Sequence, residues 1–451
     1  MALRVSKRLL RVALLVVSVL GIFGLVLHTT NSEITTYYVD KTKELVDSQK
    51  SWWNSEAAKS EESERKKAEQ DAAEGKHLQD VELDDAAKKL EEDATKKLEE
   101  VVGGEGNGDS KTTPLKEKEP ESTATDTKTT TVKAAFVSLV RNQDLQEIVE
   151  TVRNLEDRFN SKFHYPYVFL NNEPFTPEFK SAISNVISST VDFGLIPPAH
   201  WSYPEWIDQE KAATVRQTAD YIYGDSESYR HMCRYESGFF WRHELLDKFD
   251  WYWRVEPSTK LHCNVDYDVF QWMQDNNKMY GFTVSIKEFE STIKTLWSTT
   301  KEFLDANPKF IAKDNMMDFI SNDKGKTYNL CHFWSNFEVA NLNFWRSEAY
   351  QEYFDYLDKK GGFFYERWGD APVHSIAASL FLSSDQVHYF PDIGYFHNPY
   401  NNCPLDQSIW QKGKCSCEPM WDFTFQTYSC TNEYYDFKKL KKPDGWKKFR
   451  N

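Results

Sequence analysis

Apolar and polar positions divide the chain into a short N-terminal apolar segment, a polar stretch and a long domain. Residues 12–27 form an uncharged apolar run, and the positions that follow, up to about residue 131, are rich in charge. Beyond them, apolar runs return at the spacing of strands and helices. The pattern predicts four parts, namely a tail at 1–11, a membrane helix at 12–28, a stem at 29–132 and a folded domain at 133–451.

Charge differs on the two sides of the apolar run. Basic flanks stay in the cytosol, so a basic N-terminal side predicts a single-pass helix with the folded domain in the lumen. A cleaved signal peptide is the alternative, but the segment Leu27–Asn31 offers a poor cleavage site. An uncleaved signal-anchor is the preferred interpretation. The basic residues before the run are Arg4, Lys7, Arg8 and Arg11.

The stem has two predicted components. Leu83, Ala87, Leu90 and Ala94 recur at helical spacing among charged residues, which indicates either a solvated single helix or a weak coiled coil. Residues 103–131 are rich in Gly, Ser, Thr and Pro and have no apolar periodicity. Such a segment cannot bury enough surface to offset the entropy of ordering, so we expect it to be disordered.

Strand and helix signals alternate where the folded domain begins. Residues 134–140 (AAFVSLV) and 165–170 (YPYVFL) are apolar runs, and residues 143–159 between them carry apolar side chains at helical spacing. A strand–helix–strand opening predicts an α/β fold with parallel strands, which hold nucleotides at their carboxyl ends. Arg141 follows the first strand and is therefore a candidate diphosphate ligand, although neither a Rossmann glycine motif nor a P-loop occurs.

Amino-acid composition indicates which ligands and cross-links the domain is expected to have. Acidic residues outnumber basic ones by 70 to 55, and the net charge of −15 argues against a nucleic-acid partner. The aromatic content of 15% suits stacking on sugars, but it equally suits a large ordinary core. The seven cysteines lack zinc-type spacing, so in a lumen the C-terminal ones are expected to form disulfides, with at least one thiol left over. That C-terminal group is Cys403, Cys415, Cys417 and Cys430.

Acidic residues near an aromatic strand are candidate ligands for a divalent ion. Residues 251–257 (WYWRVEP) place Arg254 and Glu256 at a strand end, where a cation that bridges a diphosphate would be held. Asp266 and Asp268 resemble an Asp-x-Asp metal motif even more closely, and the sequence alone does not rank the two sites. A solvated turn at Glu256 is the alternative that requires no ligand.

Three further polar residues lie in aromatic or turn contexts. Glu338, within CHFWSNFEVA, could stabilise or attack an anomeric carbon, or could simply begin a helix. Asp370, two positions before Pro372, could bind a sugar hydroxyl, or could cap a helix. His397, in a loop rich in Pro and Asn, is a candidate metal ligand, or is structural or merely exposed.

Five longer stretches of the sequence resemble a known protein family, which none of these single residues would indicate. They are SYRHMCRYESGFFW, YWRVEPSTKLHCNVDYDVF, YNLCHFWSNFEVANLNFWRSEAY, GGFFYERWGDAPVHSIAASLFL and IGYFHNPYNNCP. In order and with ordinary spacing, they closely resemble the fungal alpha-1,2-mannosyltransferases of glycosyltransferase family 15, from about residue 132 to the C-terminus. The basic N-terminus, short anchor and charged stem also look like the architecture of that family.

The resemblance implies a retaining alpha-1,2-mannosyltransferase with a GT-A fold, in which a Rossmann-like nucleotide-sugar domain merges with an acceptor-binding region. It implies GDP-mannose as the donor, Mn²⁺ as the cofactor, and mannose-terminated N- or O-linked glycans of secretory and cell-wall mannoproteins as acceptors. It also implies a single-pass type II protein of the Golgi membrane with a lumenal catalytic domain. The alternatives are mannosylphosphate transfer from the same donor and an inactive protein that binds mannan as a scaffold.

The resemblance also assigns roles to individual positions. Glu256 and His397 match the metal ligands, and Glu338 matches a carboxylate that is a candidate nucleophile or transition-state stabiliser. Tyr229 matches a tyrosine close to nucleotide and acceptor.

Two further positions, Arg254 and Asp370, fall where substrate is expected to be held. Family members carry Glu-Pro-Asp where this chain has Glu256, Pro257 and Ser258. Ser258 therefore removes one negative charge beside the expected metal site.

Overall fold

The computed structural model describes residues 132–449. The predicted tail, the signal-anchor and all of the stem except Val132 therefore lie outside the described residues. Within residues 132–449, no helix combines the length and apolar character needed to cross a membrane. The described residues form a mixed α/β structure, which confirms the fold class predicted from the opening strand–helix–strand pattern.

The described residues contain strands that are short apart from those that open the domain. They are β1 (Ala134–Leu139), β2 (Tyr167–Asn171), β3 (Val191–Leu195), β4 (Trp251–Arg254), β5 (Lys260–Leu261), β6 (Tyr280–Phe282), β7 (Ser285–Lys287), β8 (Cys331–Phe333), β9 (Val339–Asn341), β10 (Val387–Tyr389), β11 (Tyr395–His397) and β12 (Tyr400–Asn402).

The α-helices of the described residues vary from single turns to more than three turns. They are α1 (Leu145–Leu155), α2 (Ser161–Phe163), α3 (Pro177–Val186), α4 (Gln209–Thr218), α5 (Glu227–Gly238), α6 (Val269–Asp275), α7 (Leu296–Ala306), α8 (Met317–Ile320), α9 (Leu342–Trp345), α10 (Glu348–Lys360), α11 (Gly362–Tyr365), α12 (Asp370–Phe381), α13 (Gln407–Lys412) and α14 (Thr431–Phe437).

A seven-stranded sheet carries the domain, in the order β10-β6-β9-β4-β1-β2-β3. Strand β1 pairs in parallel with β2 and with β4, and β9 is antiparallel to both β4 and β6. The parallel pairing predicted for the first two strands is confirmed. The helix between them, predicted over 143–159, is α1 followed by a π turn at Glu156–Asn160.

Alternation along the strands divides the core between the two faces of this sheet. Ala135 and Val137 belong to one buried cluster, whereas Ala134 and Phe136 of the same strand belong to another. Successive side chains of a strand point to opposite faces, so each cluster covers one face. A strand that is buried on both faces reads as a continuous apolar run, which is why β1 was recognisable in the sequence.

Two small sheets and three disulfides fix the C-terminal third of the chain. The small sheets have the orders β12-β11-β5 and β7-β8. The disulfides confirm that the C-terminal cysteines are oxidised, although two of them pair with cysteines far back in the sequence. Cys233 is the free thiol, and it is buried. The pairs are Cys263–Cys415, Cys331–Cys430 and Cys403–Cys417.

Candidate active site

Strand alternation brings several polar groups to one face of the seven-stranded sheet. Tyr252 and Ala340 belong to the same buried cluster. Arg254 lies two residues after Tyr252, and Glu338 lies two residues before Ala340, so both point to that face. Helices α5 and α12 cover the face and add further charged side chains. The result is a group of buried ionisable residues at the carboxyl end of β4.

Arg254 lies at the centre of this group. Its side chain is 8% exposed, and its Nη1 lies 2.6 Å from Asp370 Oδ2. Its Nε and Nη2 lie 2.8 Å and 2.7 Å from Glu256 Oε1. Burial alone would raise the pKa of Asp370, but Arg254 leads the opposing interactions, which hold that pKa below its usual value. The guanidinium therefore orients two carboxylates, one from the loop after β4 and one from the start of α12.

Glu338 is fully buried beneath this group, and both of its carboxylate oxygens accept hydrogen bonds. Tyr252 donates to Oε2 at 2.7 Å, and Tyr280 donates to Oε1 at 2.8 Å. His374 Nδ1 lies 2.8 Å from Oε1, and the other ring nitrogen lies 3.1 Å from the carbonyl oxygen of Glu236. Burial lowers the pKa of His374, but the Glu338 carboxylate outweighs that effect and raises it. With both ring nitrogens facing acceptors, His374 is a charged partner of Glu338.

Glu236 is the least satisfied carboxylate of the group. It is 5% exposed, and within the described residues its carboxylate accepts no hydrogen bond, since Arg254 Nη1 lies 3.8 Å away. Burial raises the pKa of Glu236 to about 8, against the opposing charge of Arg254. A buried carboxyl group without a partner is costly unless it is protonated or a ligand completes its hydrogen bonds. Glu236 can therefore meet a substrate hydroxyl.

A second small group adjoins Asp370 on the same side. Arg367 lies with its guanidinium 5.2 Å from the centre of the Tyr229 ring, and its Nη2 lies 3.7 Å from Glu288 Oε1. The Nε of Arg367 is buried and has no hydrogen-bond partner among residues 132–449. Tyr229 stacks on Tyr223, whose ring is about half exposed. Aromatic and donor groups of this kind suit the two faces and the hydroxyls of a sugar.

The two predicted metal ligands lie on segments that the pairing of β11 with β5 brings near each other. Phe396 of β11 pairs with Lys260 of β5, so the next residue, His397, lies toward the turn that carries Glu256. One carboxylate oxygen of Glu256 and the Nε2 of His397 have no partner in the described part of the chain, where no group of three or more metal-ligating side chains occurs. Two protein ligands suffice when a substrate diphosphate and water supply the others. The pair therefore fits a divalent cation shared with a nucleotide.

Comparison with known proteins assigns the chain to a family. A family model described as glycolipid 2-alpha-mannosyltransferase matches residues 84–439. The chain belongs to the glycolipid 2-alpha-mannosyltransferase family. The glycolipid 2-alpha-mannosyltransferase of Saccharomyces cerevisiae is 52% identical over 453 residues, which cover 100% of both chains. The alpha-1,2 mannosyltransferase KTR1 of the same yeast is 61% identical over 317 residues, which cover 70% of this chain and 81% of the relative.

Solved structures of mannosyltransferases share the fold. The mannosyltransferase Ktr4p of S. cerevisiae, in complex with GDP, matches with a TM-score of 0.62 and 40% identity over 64% of this chain and 76% of that one. Core-mannan synthase A of Aspergillus fumigatus, in its Mn/GDP form, matches with a TM-score of 0.64 and 40% identity over 73% and 93%. The predicted family and the predicted enzyme class, a glycosyltransferase, are confirmed, and the α/β fold resembles that of GT-A enzymes.

The structure separates the alternatives that the mannosyltransferase sequence left open. Asp268 caps α6 and accepts a hydrogen bond from Tyr165, and Asp266 pairs with Lys162, so both act structurally. Gly369, not Asp370, is the N-cap of α12, because the Asp370 carboxylate turns to Arg254. The capping interpretation of Asp370 is therefore wrong.

The alternatives for the remaining candidates are also separated. Glu338 precedes strand β9, so the interpretation that it begins a helix is wrong. His397 ends β11 instead of lying in a loop. Arg141 lies after β1 as predicted, but it pairs with Asp144, at 2.9 Å, and is 60% exposed. Its role as a diphosphate ligand stays a prediction, as do the roles of the other candidates.

Sequence reasoning missed Glu236 and His374. A signal existed for both, since Glu236 lies seven residues after Tyr229 and His374 lies four residues after Asp370, which in a helix places each pair on one face. Gly238, near the end of α5, lets that helix approach α10, because a Cβ there would lie 1.9 Å from Phe354 Cζ. Without knowledge of how α5 packs on the sheet, no local pattern favours Glu236 over its acidic neighbours.

Proposed function

We propose that this protein is a retaining, Mn²⁺-dependent alpha-1,2-mannosyltransferase that moves mannose from GDP-mannose to a mannose-terminated glycan. The single observation that carries the proposal is the charge cluster of Arg254, Glu256, Asp370 and Glu236 at the carboxyl end of β4. Relatives named as alpha-1,2-mannosyltransferases, together with the GDP-bound and Mn/GDP-bound structures of similar enzymes, support the donor and the metal.

The metal fits the donor set of Glu256 and His397. A carboxylate and an imidazole together suit Mn²⁺, and the open carboxylate oxygen of Glu256 and Nε2 of His397 are the atoms that would hold it. When bound there, Mn²⁺ would offset the negative charge on the departing GDP. Arg254 fixes the orientation of Glu256 through Oε1 and leaves Oε2 free. Arg141 lies at the neighbouring strand end and is a second candidate for contact with the diphosphate.

Sugar binding is assigned to the buried side of the cluster. Asp370 Oδ2 is held by Arg254 and by the hydroxyl of Ser335 at 2.7 Å, so its other oxygen can accept from a sugar hydroxyl. Glu236 is buried and unsatisfied beside it, and it can donate or accept according to its protonation. Tyr229 forms the aromatic wall. A fixed set of donors and acceptors, shielded from water, favours a single orientation of the reacting sugars.

Glu338 acts in this proposal by positioning other groups. Its Oε1 accepts from Tyr280 and faces His374, and its Oε2 accepts from Tyr252, so three of the four lone pairs of the carboxylate are engaged and attack on an anomeric carbon would have to come from Oε2. Its side chain is fully buried under the sheet face. These contacts support retention by front-face attack of the acceptor hydroxyl. In that mechanism the charge of Glu338 and the packing of His374 position the side chains of the charge cluster.

Compartment and topology belong to the same proposal. Three disulfides within residues 132–449 are typical of a domain that folds in an oxidising compartment. This supports a lumenal catalytic domain, and with the basic N-terminal flank of residues 12–27 it supports a type II protein of the Golgi membrane.

Product analysis tests the proposed function. The purified full-length chain is incubated with GDP-mannose, Mn²⁺ and methyl α-mannoside, and the product is characterised by NMR. We expect release of GDP and an alpha-1,2-linked dimannoside. An acid-labile product that contains phosphorus would replace the proposal by mannosylphosphate transfer. Binding of mannan without any release of GDP would replace it by a scaffold role.

A further inference from the structure

A large cavity lies outside the charge cluster, near the C-terminus. Its volume is about 620 Å³, within the range of roughly 300–1,000 Å³ that is usual for ligand pockets. It is lined by the end of β10, the segment 403–409, the segment 424–425, α14 and the loop 441–444. None of the residues assigned to donor, metal or reacting sugars lines it.

Aromatic rings form one wall of this C-terminal cavity. The rings of Tyr389 and Tyr435 have centroids 5.7 Å apart, and those of Phe425 and Tyr435 have centroids 5.4 Å apart. All three residues are buried. The small apolar surface that these rings leave at the cavity wall can contact the C–H groups of a sugar ring.

One hydroxyl of this wall is available to a ligand. Asn402 donates to the hydroxyl of Tyr389 at 2.9 Å and to that of Thr424 at 3.2 Å. Tyr435 is 6% exposed, and its hydroxyl has no hydrogen-bond partner among residues 132–449. Burial raises the pKa of Tyr435 to about 12, so the group stays protonated and can donate. A hydroxyl on a residue that lines a cavity, without a protein partner, can donate a hydrogen bond to a ligand oxygen.

Charge at the C-terminal cavity distinguishes between classes of ligand. Lys441 and Asp444 lie 3.9 Å apart, and Lys442 pairs with Asp436 at 2.6 Å. The Asp406 carboxylate accepts from the backbone and hydroxyl of Ser408. Lys441 and Lys442 therefore both have acidic partners. A pocket with an aromatic wall, one free hydroxyl and compensated charge suits a neutral polyhydroxyl ligand.

The C-terminal cavity is close enough to His397 to serve the same substrate. Tyr400 of β12 pairs with His397, and Cys403, which lines the cavity, is three residues further along the chain. Three extended residues span roughly 10 Å. An acceptor of several sugar units can therefore reach from one place to the other.

We infer that this cavity is a second carbohydrate site, which holds an internal part of an oligomannose acceptor whose end lies at the charge cluster. The choice of mannose as the sugar rests on the proposed function, whereas the existence of a neutral sugar site rests on the cavity itself. The site makes the enzyme prefer long acceptors, because a methyl mannoside fills only the catalytic position.

Direct binding tests the cavity independently of catalysis. Wild type and two variants, Tyr435→Phe and Gln407→Trp, are titrated with mannotetraose by calorimetry in the absence of GDP and metal. Tyr435→Phe removes only the free hydroxyl and should weaken binding by about 2- to 10-fold, the worth of one hydrogen bond. Gln407→Trp places a large side chain at the cavity and should abolish binding there. Tyr356→Phe, which removes a hydroxyl on α10, is the matched control and should bind like wild type.

Kinetics give the second readout. In Tyr435→Phe we expect the KM for mannotetraose to rise by the same factor, while the KM for methyl α-mannoside stays at the wild-type value. Equal effects on both acceptors, or unchanged binding in both variants, would overturn the inference. Tighter binding of mannose 6-phosphate than of mannotetraose would overturn the neutral class of ligand. If the wild type binds mannotetraose but transfers no mannose, the proposed function is contradicted and the sugar site is still supported.

Discussion

Replacing Glu338 by Gln separates a positioning role from a chemical one. The amide keeps the shape of the side chain but removes the charge that faces His374, and both side chains are fully buried. Removing one partner of a buried pair leaves the other charge uncompensated, at a cost of about 3–5 kcal/mol. A domain of this kind is stable by only about 5–15 kcal/mol, so the loss is a large fraction of the total.

The pH dependence of Glu338→Gln follows from the direction of the His374 pKa. Glu338 raises the pKa of His374 in the folded protein, so the pair contributes stability that is complete below the unfolded pKa. That contribution is lost as the pH rises through the folded pKa. The difference in unfolding free energy between wild type and Glu338→Gln should therefore be largest at acidic pH and shrink as the pH rises.

Two assays decide the role of Glu338. Unfolding in urea should give the stability difference, and turnover of the folded variant at saturating substrate should fall by about 100-fold, the effect of a small misplacement of reacting groups. Loss of a nucleophile would instead cost ~10⁴-fold or more. Glu302→Gln is the matched control, because that carboxylate is 55% exposed and pairs with Lys360 at the surface. Wild-type stability combined with a loss beyond ~10⁴-fold would refute the positioning role.

Three further outcomes are expected. Because burial raises the pKa of Glu236 to about 8, the wild type should lose more stability between about pH 5 and pH 8 than Glu236→Gln loses, as urea unfolding at both pH values would show. Ser258 has a left-handed φ of 63°, which Asp adopts readily, so Ser258→Asp should fold normally. The added negative charge should lower the half-saturating Mn²⁺ concentration by about fivefold or less. An unchanged Mn²⁺ titration would contradict this expectation. Burial raises the pKa of Cys233, so Ellman's reagent should find its thiol only after denaturation, and labelling of the native protein would disprove the burial.

The strands of this mannosyltransferase were predictable because their signal is local. Residues 134–140 and 251–254 are apolar or aromatic runs bounded by polar residues, and they form β1 and β4. The ends of those strands identified Arg141, Arg254 and Glu256 as candidates without any knowledge of the fold. The residues at the carboxyl end of a strand can be identified from the sequence, because they are the residues that directly follow the strand along the chain.

Pairing between distant residues was not predictable in the same way. The capping interpretation of Asp370 considered only its own helix. The residue that pairs with its carboxylate, Arg254, lies 116 positions earlier in the sequence. The same holds for Cys331 and Cys430, which are 99 positions apart. Rules based on neighbouring residues predict the role of a side chain correctly only when no residue distant in the sequence contacts it. In a buried site a charged partner at 2.6 Å outweighs a helix cap, because the unpaired charge would cost more than the cap contributes.

The balance of charge in the cluster is favourable for a bound cation. Four carboxylates, of Glu236, Glu256, Glu338 and Asp370, share the positive charges of Arg254 and His374. Even with Glu236 protonated, the carboxylates outnumber the cations by one, and a buried excess of negative charge is unfavourable. A divalent ion at the exposed end, or positive charge that develops on a sugar at the buried end, relieves that excess. The excess of negative charge in the free protein would therefore favour the binding of a cation and of a transition state that carries positive charge.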